Sequence, residues 1–225
     1  MARALVHAVT DCVDPDAEPG ELDFRFTSGR LCLDLVLTVG ERWRRSFERL
    51  RSAADLARWL ELAGLASPPT RVTAGDLAAM RELRESIFHL ARGAMDGRDA
   101  APRDLEVVNA WAARPDLAPT LWRLGARGHR SKARPVPAAL ATVARDAVEL
   151  FGGPLAARVR ECAASDCSGI FLDESRAGAR RWCSMAGCGN RVKVAAYRRR
   201  RATAAGVPAS SPARHGAAIT REERS

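Results

Sequence analysis

Hydrophobic positions recur at helical spacing through much of this chain, and a polar start signal precedes several of the recurrences. Ser52, with Asp55 three residues on, makes a capping-box start in which hydroxyl and carboxylate satisfy first-turn N–H groups. Leu56, Trp59, Leu60 and Ala63 then share one helical face, and Gly64 ends the run. Thr73 with Asp76 opens a second helix, along which Leu77, Met80, Leu83, Arg84, Ile87 and Leu90 or Ala91 recur at intervals of three and four. A third starts near Pro102, a residue suited to a first helical turn, and runs through Leu105, Val108, Asn109 and Ala112. A fourth covers about Ala138 to Phe151, with Leu140, Val143, Ala147, Val148 and Leu150 apolar, until Gly152-Gly153-Pro154 interrupts it.

Elsewhere the pattern is shorter. Phe24-Arg25-Phe26 alternates like a short strand, and a turn at Thr27 to Arg30 feeds the apolar run Leu31 to Val39. That run is either a buried strand or the start of a helix, because periodicity does not separate the two over so few residues. From Thr120 to Val136, the stretch Leu121-Trp122-Arg123-Leu124, a glycine-bearing turn and a basic segment ending in Pro135 predict an irregular hairpin. Near the C-terminus, Asn190 stands where a cap would open a helix through Val192, Val194, Ala196 and Tyr197 to about Ala204. Residues 1–21 are expected to form a flexible arm. Residues 206–225 carry too few large apolar side chains to offset ordering entropy and are expected to be a disordered tail.

The chain has 225 residues, 47% of them hydrophobic, which suits one ordinary domain and one small one. No apolar run is long enough to span a bilayer, and residues 1–13 make a poor export signal, so a cytoplasmic protein with reduced thiols is expected. The net charge is +9, but 34 of the 36 basic residues are arginine in an alanine-rich chain, so overall basicity says little about partners. Its distribution says more. Residues 1–157 carry 22 basic and 21 acidic side chains, a net of +1, whereas residues 158–201 carry 11 against four, a net of +7. A uniform compositional bias would not concentrate charge in this way.

That basic segment also holds Cys162, Cys167, Cys183 and Cys188, spaced as C-x4-C, fifteen residues, C-x4-C. Two thiol pairs so spaced can converge on one tetrahedral Zn²⁺. Four thiolates fill the coordination sphere and leave no position for substrate or activated water, which points away from metal catalysis. With zinc bound, the segment keeps a charge of about +5. Disulfides are the alternative, disfavoured in a reducing compartment. Cys12 and Cys32 stand alone and read as small hydrophobes.

The second cysteine arm reads Arg180-Arg181-Trp182-Cys183-Ser184-Met185-Ala186-Gly187-Cys188-Gly189-Asn190-Arg191. With Asp166-Cys167, Phe171-Leu172-Asp173, Ser175-Arg176 and Lys193, it resembles the CGNR zinc finger over Cys162 to about Arg200. Upstream, Leu33-Asp34, Thr38, Asp55-Leu56, Trp59-Leu60 and the helix around Leu83 to Ile87 are similar to the ABATE domain that usually precedes this finger in bacteria. Leu37 stands where that family usually has asparagine. The resemblance implies a bacterial transcription regulator, stress-responsive in type, with the four cysteines as zinc ligands.

The residues themselves agree with a metal-organised lobe. Gly187 and Gly189 flank Cys188, where backbone N–H groups can approach the sulfurs, while Trp182 and Phe171 can supply a miniature core. Arg180, Arg181, Arg191, Lys193, Arg198, Arg199, Arg200 and Arg201 are the candidate nucleic-acid contacts. For Arg191, contact with phosphate and partnership with the thiolates are equal alternatives.

Bland readings suffice for other conspicuous residues. His89 reads as a packed or half-buried helix residue, and Asp34 as a cap or local hydrogen-bond partner before a functional carboxylate. Trp43, Trp59, Trp111 and Trp122 read as core aromatics. No nucleophile–base constellation or phosphate-binding glycine loop is visible, so an enzyme is not expected.

The expected fold is mainly α, with a small hairpin. A multihelical ABATE-like domain over 22–155 precedes a four-cysteine CGNR-type zinc-finger module with a basic helix over 156–205. The function read from this is zinc-dependent DNA binding for transcription regulation. The N-terminal domain would sense an unidentified small molecule or mediate association, such as homodimer formation. An adaptor for protein or RNA, with a purely structural zinc lobe, is the alternative.

Overall fold

The computed structural model describes residues 23–124, 126–130 and 135–204. The expected arm over 1–21, the tail over 206–225, Cys12 and the Trp122 side chain lie outside the described residues. Six α-helices dominate what is described: α1 (Leu31–Val36), α2 (Ala53–Leu62), α3 (Ala74–Asp96), α4 (Pro102–Ala112), α5 (Pro135–Phe151) and α6 (Asn190–Ala204). Three two-stranded antiparallel ladders join them: β1 (Val39–Gly40) with β2 (Phe47–Glu48), β3 (Ala118–Arg123) with β4 (Ala126–Arg130), and β5 (Val159–Glu161) with β6 (Ile170–Leu172).

Local chemistry starts the helices where the sequence indicates. Ser52 Oγ accepts from the Asp55 backbone N–H and Asp55 returns the bond to Ser52, and Thr73 and Asp76 do the same for α3. Such caps contribute about 1 kcal/mol each. Gly97 closes α3 with a left-handed φ of 64°. The ambiguous run after Arg30 is the helix α1. Its Cys32, Leu33, Leu35 and Val36 are all buried, which explains why no polar stripe marks its period. Ser28 precedes it and donates to Asp34 from both backbone N and Oγ, at 3.0 and 2.7 Å, so Asp34 makes the local hydrogen bonds weighed for it.

α3 is the central element, packed against α1, α2, α4 and α5. Leu83, Ile87, Met80, Leu33, Leu56, Trp59, Leu140 and Val143 are fully enclosed in the shared core. Truncating such a residue, as in Leu83→Ala, costs about 2–5 kcal/mol. Arg84 lies on the same buried face of α3. Its guanidinium donates to both Glu48 oxygens at 2.7 Å, to Glu85 Oε1 at 2.8 Å and to Thr38 Oγ1 at 3.0 Å. Burial alone would lower its pKa, but Glu48 and Glu85 overcome that and hold it above the ordinary arginine value.

Several expectations are corrected. Phe24–Phe26 forms no strand. Trp43 is 59% exposed because it sits at the tip between β1 and β2, outside the core. Trp111 is only partly buried against the core. His89 points outward from α3 to Asp104 of α4, at 3.1 Å. Leu105 and Val148 lie on solvent faces of α4 and α5. Helical winding begins with a π turn at Met185–Gly189, so Asn190 follows existing helical structure instead of standing ahead of the first turn.

The cysteine-bearing segment is built into the same body as the helices. Val159, Ile170 and Leu172 belong to the common core, and Leu172 N donates to Ser28 O at 2.8 Å. One compact unit runs through Gly189 and a second begins at Asn190. No helix among the described residues is long and apolar enough to cross a membrane.

Candidate metal centre

β5 and β6 form a hairpin whose connecting loop carries the first cysteine pair. Cys162 follows β5 and Cys167 precedes β6, and Cys162 N donates to Gly169 O at 2.8 Å across the loop. The second pair comes from the loop after β6 and from the π turn. Ala163 N donates to Arg181 O at 2.8 Å, which lays the second arm against the first.

The loop between β6 and Cys183 is shaped by Asp173. Its Oδ1 accepts from Ser175 N and Oγ at 2.9 and 2.6 Å, and its Oδ2 from Arg180 N at 3.0 Å. Arg180 ties this loop to the segment before α1: its Nε donates to Trp182 O at 2.9 Å, and its Nη2 to Thr27 O at 3.1 Å and to Cys183 O. Its guanidinium also lies 4.5 Å from the centroid of the buried Phe171 ring.

All four sulfurs lie within 4.8 Å of one another. Cys167 Sγ is 3.8 Å from Cys183 Sγ, which is 3.5 Å from Cys188 Sγ. Tetrahedral zinc with Zn–S bonds of about 2.3 Å would set its sulfurs about 3.8 Å apart. The geometry therefore fits the ion, and among the described residues no cysteine pair is joined as a disulfide. Cys162, Cys183 and Cys188 are buried, Cys167 partly so.

Thiols this close share protons when no cation separates them. Hydrogen bonding from Cys167 pulls Cys162 well down, and hydrogen bonding with Cys162 pushes Cys183 well up. A divalent cation relieves that competition by taking all four as thiolates. It would supply structure rather than chemistry, since four sulfurs leave it no open position.

Backbone amides support the sulfurs: Gly169 N points at Cys167 Sγ at 3.3 Å and Cys183 N at Cys162 Sγ at 3.5 Å. The flanking glycines of Cys188 act differently from expectation. Gly187 N donates to Ser184 Oγ at 3.1 Å and Gly189 N to Ser184 O at 2.9 Å, because the π turn aims them backward. A Cβ on Gly189 would stand 3.0 Å from Met185 Sδ, so this glycine serves close packing.

The remaining candidate contacts separate into groups. Arg181 is exposed, with its guanidinium 5.2 Å from the Trp182 ring centroid. Arg191, Lys193 and Arg198 to Arg201 are exposed on α6, and Arg201 lies 5.9 Å from the Tyr197 ring. α6 has no acidic residue.

Two residues beside the sulfurs had no sequence signal. Ser168, buried next to Cys167, accepts from Arg42 N at 2.9 Å, and Glu161, next to Cys162, accepts from Trp43 Nε1 at 2.5 Å. Their partners lie more than 110 residues away, which no local pattern encodes.

No curated protein matches the chain. Residues 158–201 match the CGNR zinc finger, and with the four sulfurs this identifies zinc as the ion of the centre. Residues 29–154 match ABATE, described as "Putative stress-induced transcription regulator". The chain therefore belongs to the ABATE family, with a CGNR zinc finger following its ABATE domain.

Proposed function

We propose that this protein is a zinc-dependent DNA-binding transcription regulator in which α6 makes the main contact with the phosphate backbone. The observation that carries this reading is α6 itself. Six basic side chains and no carboxylate stand on fifteen residues, and all six are exposed. At 100° per residue they surround the helix axis instead of forming one stripe, which suits phosphates on both sides of a groove. Arginine forks favour phosphate oxygens.

The zinc centre has a structural part in this reading. It holds the chain up to Gly189 in a defined shape from which the basic helix departs. In this reading Arg180 belongs to that frame and not to the DNA contact, since its Nε and Nη2 donate to backbone carbonyls. Arg181 and the α6 residues are the contacts. In the family's role, the ABATE domain would receive a signal or mediate association, and finger and domain would act as a regulator of stress-induced genes.

Titrating the full-length, zinc-loaded chain into a mixed-sequence duplex at several salt concentrations tests the reading. Neutralising about six phosphates gives a slope of log K against log salt of roughly −5. Absence of binding at low salt overturns it and favours an adaptor whose zinc is only structural.

A further inference from the structure

The tip between β1 and β2 carries chemistry that neither the zinc centre nor α6 uses. It is unusually well held. Glu41 and Ser46 bracket it with left-handed φ values of 42° and 48°, a conformation that side chains other than glycine rarely adopt. Arg44 N and Ser46 N both donate to Glu41 O, at 2.8 and 3.0 Å. The Glu41 carboxylate takes Arg45 at 3.1 Å and lies 3.7 Å from Arg44. Below the tip, the Phe47 ring lies so close over Gly40 that a Cβ there would stand 2.2 Å from it.

This rigid tip is fastened to both ends of the first cysteine pair. Arg42 N reaches Ser168 Oγ, and Trp43 Nε1 reaches Glu161. Glu161 precedes Cys162 and Ser168 follows Cys167. Residues of the ABATE domain therefore form part of the surface of the metal lobe. On that surface Trp43 keeps 59% of its area exposed, with the Arg92 guanidinium 5.6 Å from its ring centroid. The Arg44 side chain is 57% exposed. Both nearby carboxylates are occupied: Glu41 by arginines of the tip, Glu161 by the indole N–H and by Arg92 at 2.7 Å.

We propose that the Arg42–Arg45 tip is a second nucleic-acid contact, with Trp43 stacking on an unpaired or everted base and Arg44 meeting the adjacent phosphate. This rests on the DNA-binding reading above. An exposed indole held rigid beside guanidinium groups matches what single-stranded nucleic acid offers, a base face next to a phosphate. The neutralised carboxylates remove the repulsion that would otherwise keep a phosphate away.

The test uses the full-length zinc-loaded chain with three labelled probes: an intact mixed-sequence duplex, the same duplex with one unpaired base, and a single strand. Trp43→Ala is expected to weaken binding to the second and third roughly tenfold. Trp43→Phe keeps most of the affinity but loses part of the tryptophan quenching that accompanies binding. Arg44→Gln lowers the salt slope by about one. Zinc content and thermal midpoint, compared with wild type, establish that the variants fold, and the quenching comparison stands even where Trp43→Ala does not. Wild-type affinity of both Trp43 variants for all three probes, with unchanged quenching, overturns this inference and leaves the α6 reading intact. Failure of the wild-type chain to bind any probe overturns both. Self-association of the free protein that Trp43→Ala abolishes while DNA affinity persists would assign the tip to a protein contact and overturn the inference.

Discussion

Arg84 of α3 holds Glu48 of β2 through two parallel hydrogen bonds of 2.7 Å, with side-chain exposures of 1% and 9%. Glu85 accepts from the same guanidinium and from Arg42, so two arginines and two glutamates form one chain of charge between the central helix and the hairpin. Burial by itself would raise Glu85, but Arg42 and Arg84 draw its carboxyl below the usual range.

Removing one member of that chain strands a buried charge. Glu48→Gln is expected to destabilise the fold by about 3–5 kcal/mol, and Arg84→Met by a similar amount. Replacing both together should cost less than the sum of the two, since neither charge is then left alone. Urea unfolding of the two single variants and the double variant measures the coupling. Additive losses would show that the pair does not act as a unit.

Zinc and the helical core should fail together. Val159, Ile170 and Leu172 lie in the core beside α1 and α3, so loosening the cysteine hairpin removes apolar contacts from the ABATE domain. Cys183→Ser is expected to abolish stoichiometric zinc by elemental analysis. It should also lower the thermal midpoint of the whole helical signal, not only a C-terminal fraction of it. An unchanged midpoint would show a lobe that melts independently.

Asp34 makes stability depend on pH. Burial raises its pKa from 3.8 to about 6 in spite of the bonds from Ser28, with Asp146 adding to the rise. The protonated form is thus favoured in the folded state. Its contribution is complete below about pH 4 and is lost as pH rises through about 6, a difference of at most about 3 kcal/mol. Asp34→Asn should remove this slope. Both proteins reprotonate their cysteines alike, so the difference between their urea midpoints over that range isolates the carboxyl. Parallel curves would contradict the assignment.

Gly40→Ala should destabilise the hairpin by about 1–3 kcal/mol, because the new methyl group meets the Phe47 ring at 2.2 Å. In a Phe47→Ala background the same substitution should be nearly neutral. Equal costs in both backgrounds would place the effect elsewhere.

Arg199→Glu with Arg200→Glu is expected to reduce the slope of log K against log salt by about two or more while leaving zinc content and melting unchanged. Both residues are exposed on α6.

What the chain states by itself is what depends on near neighbours. The caps at Ser52–Asp55 and Thr73–Asp76 need residues three apart, and the cysteine pairs need sulfurs five positions apart within one turn. Spacing in the sequence therefore announced both. Periodicity carried α2 and α3 for the same reason, and failed at α1, where Cys32, Leu33, Leu35 and Val36 are buried on several sides and leave no stripe to read.

Tertiary structure alone decided the rest. Arg84 sits at a core position of α3, and Glu48, 36 residues away, meets its guanidinium there with both carboxylate oxygens. Trp43 has the composition of a core residue but lies at a tip that two left-handed residues turn outward. The cysteine hairpin contributes Val159, Ile170 and Leu172 to a core begun more than 120 residues earlier. Contacts across such separations are chosen by which apolar faces can close together and which charges can meet out of water, and no local pattern records that choice.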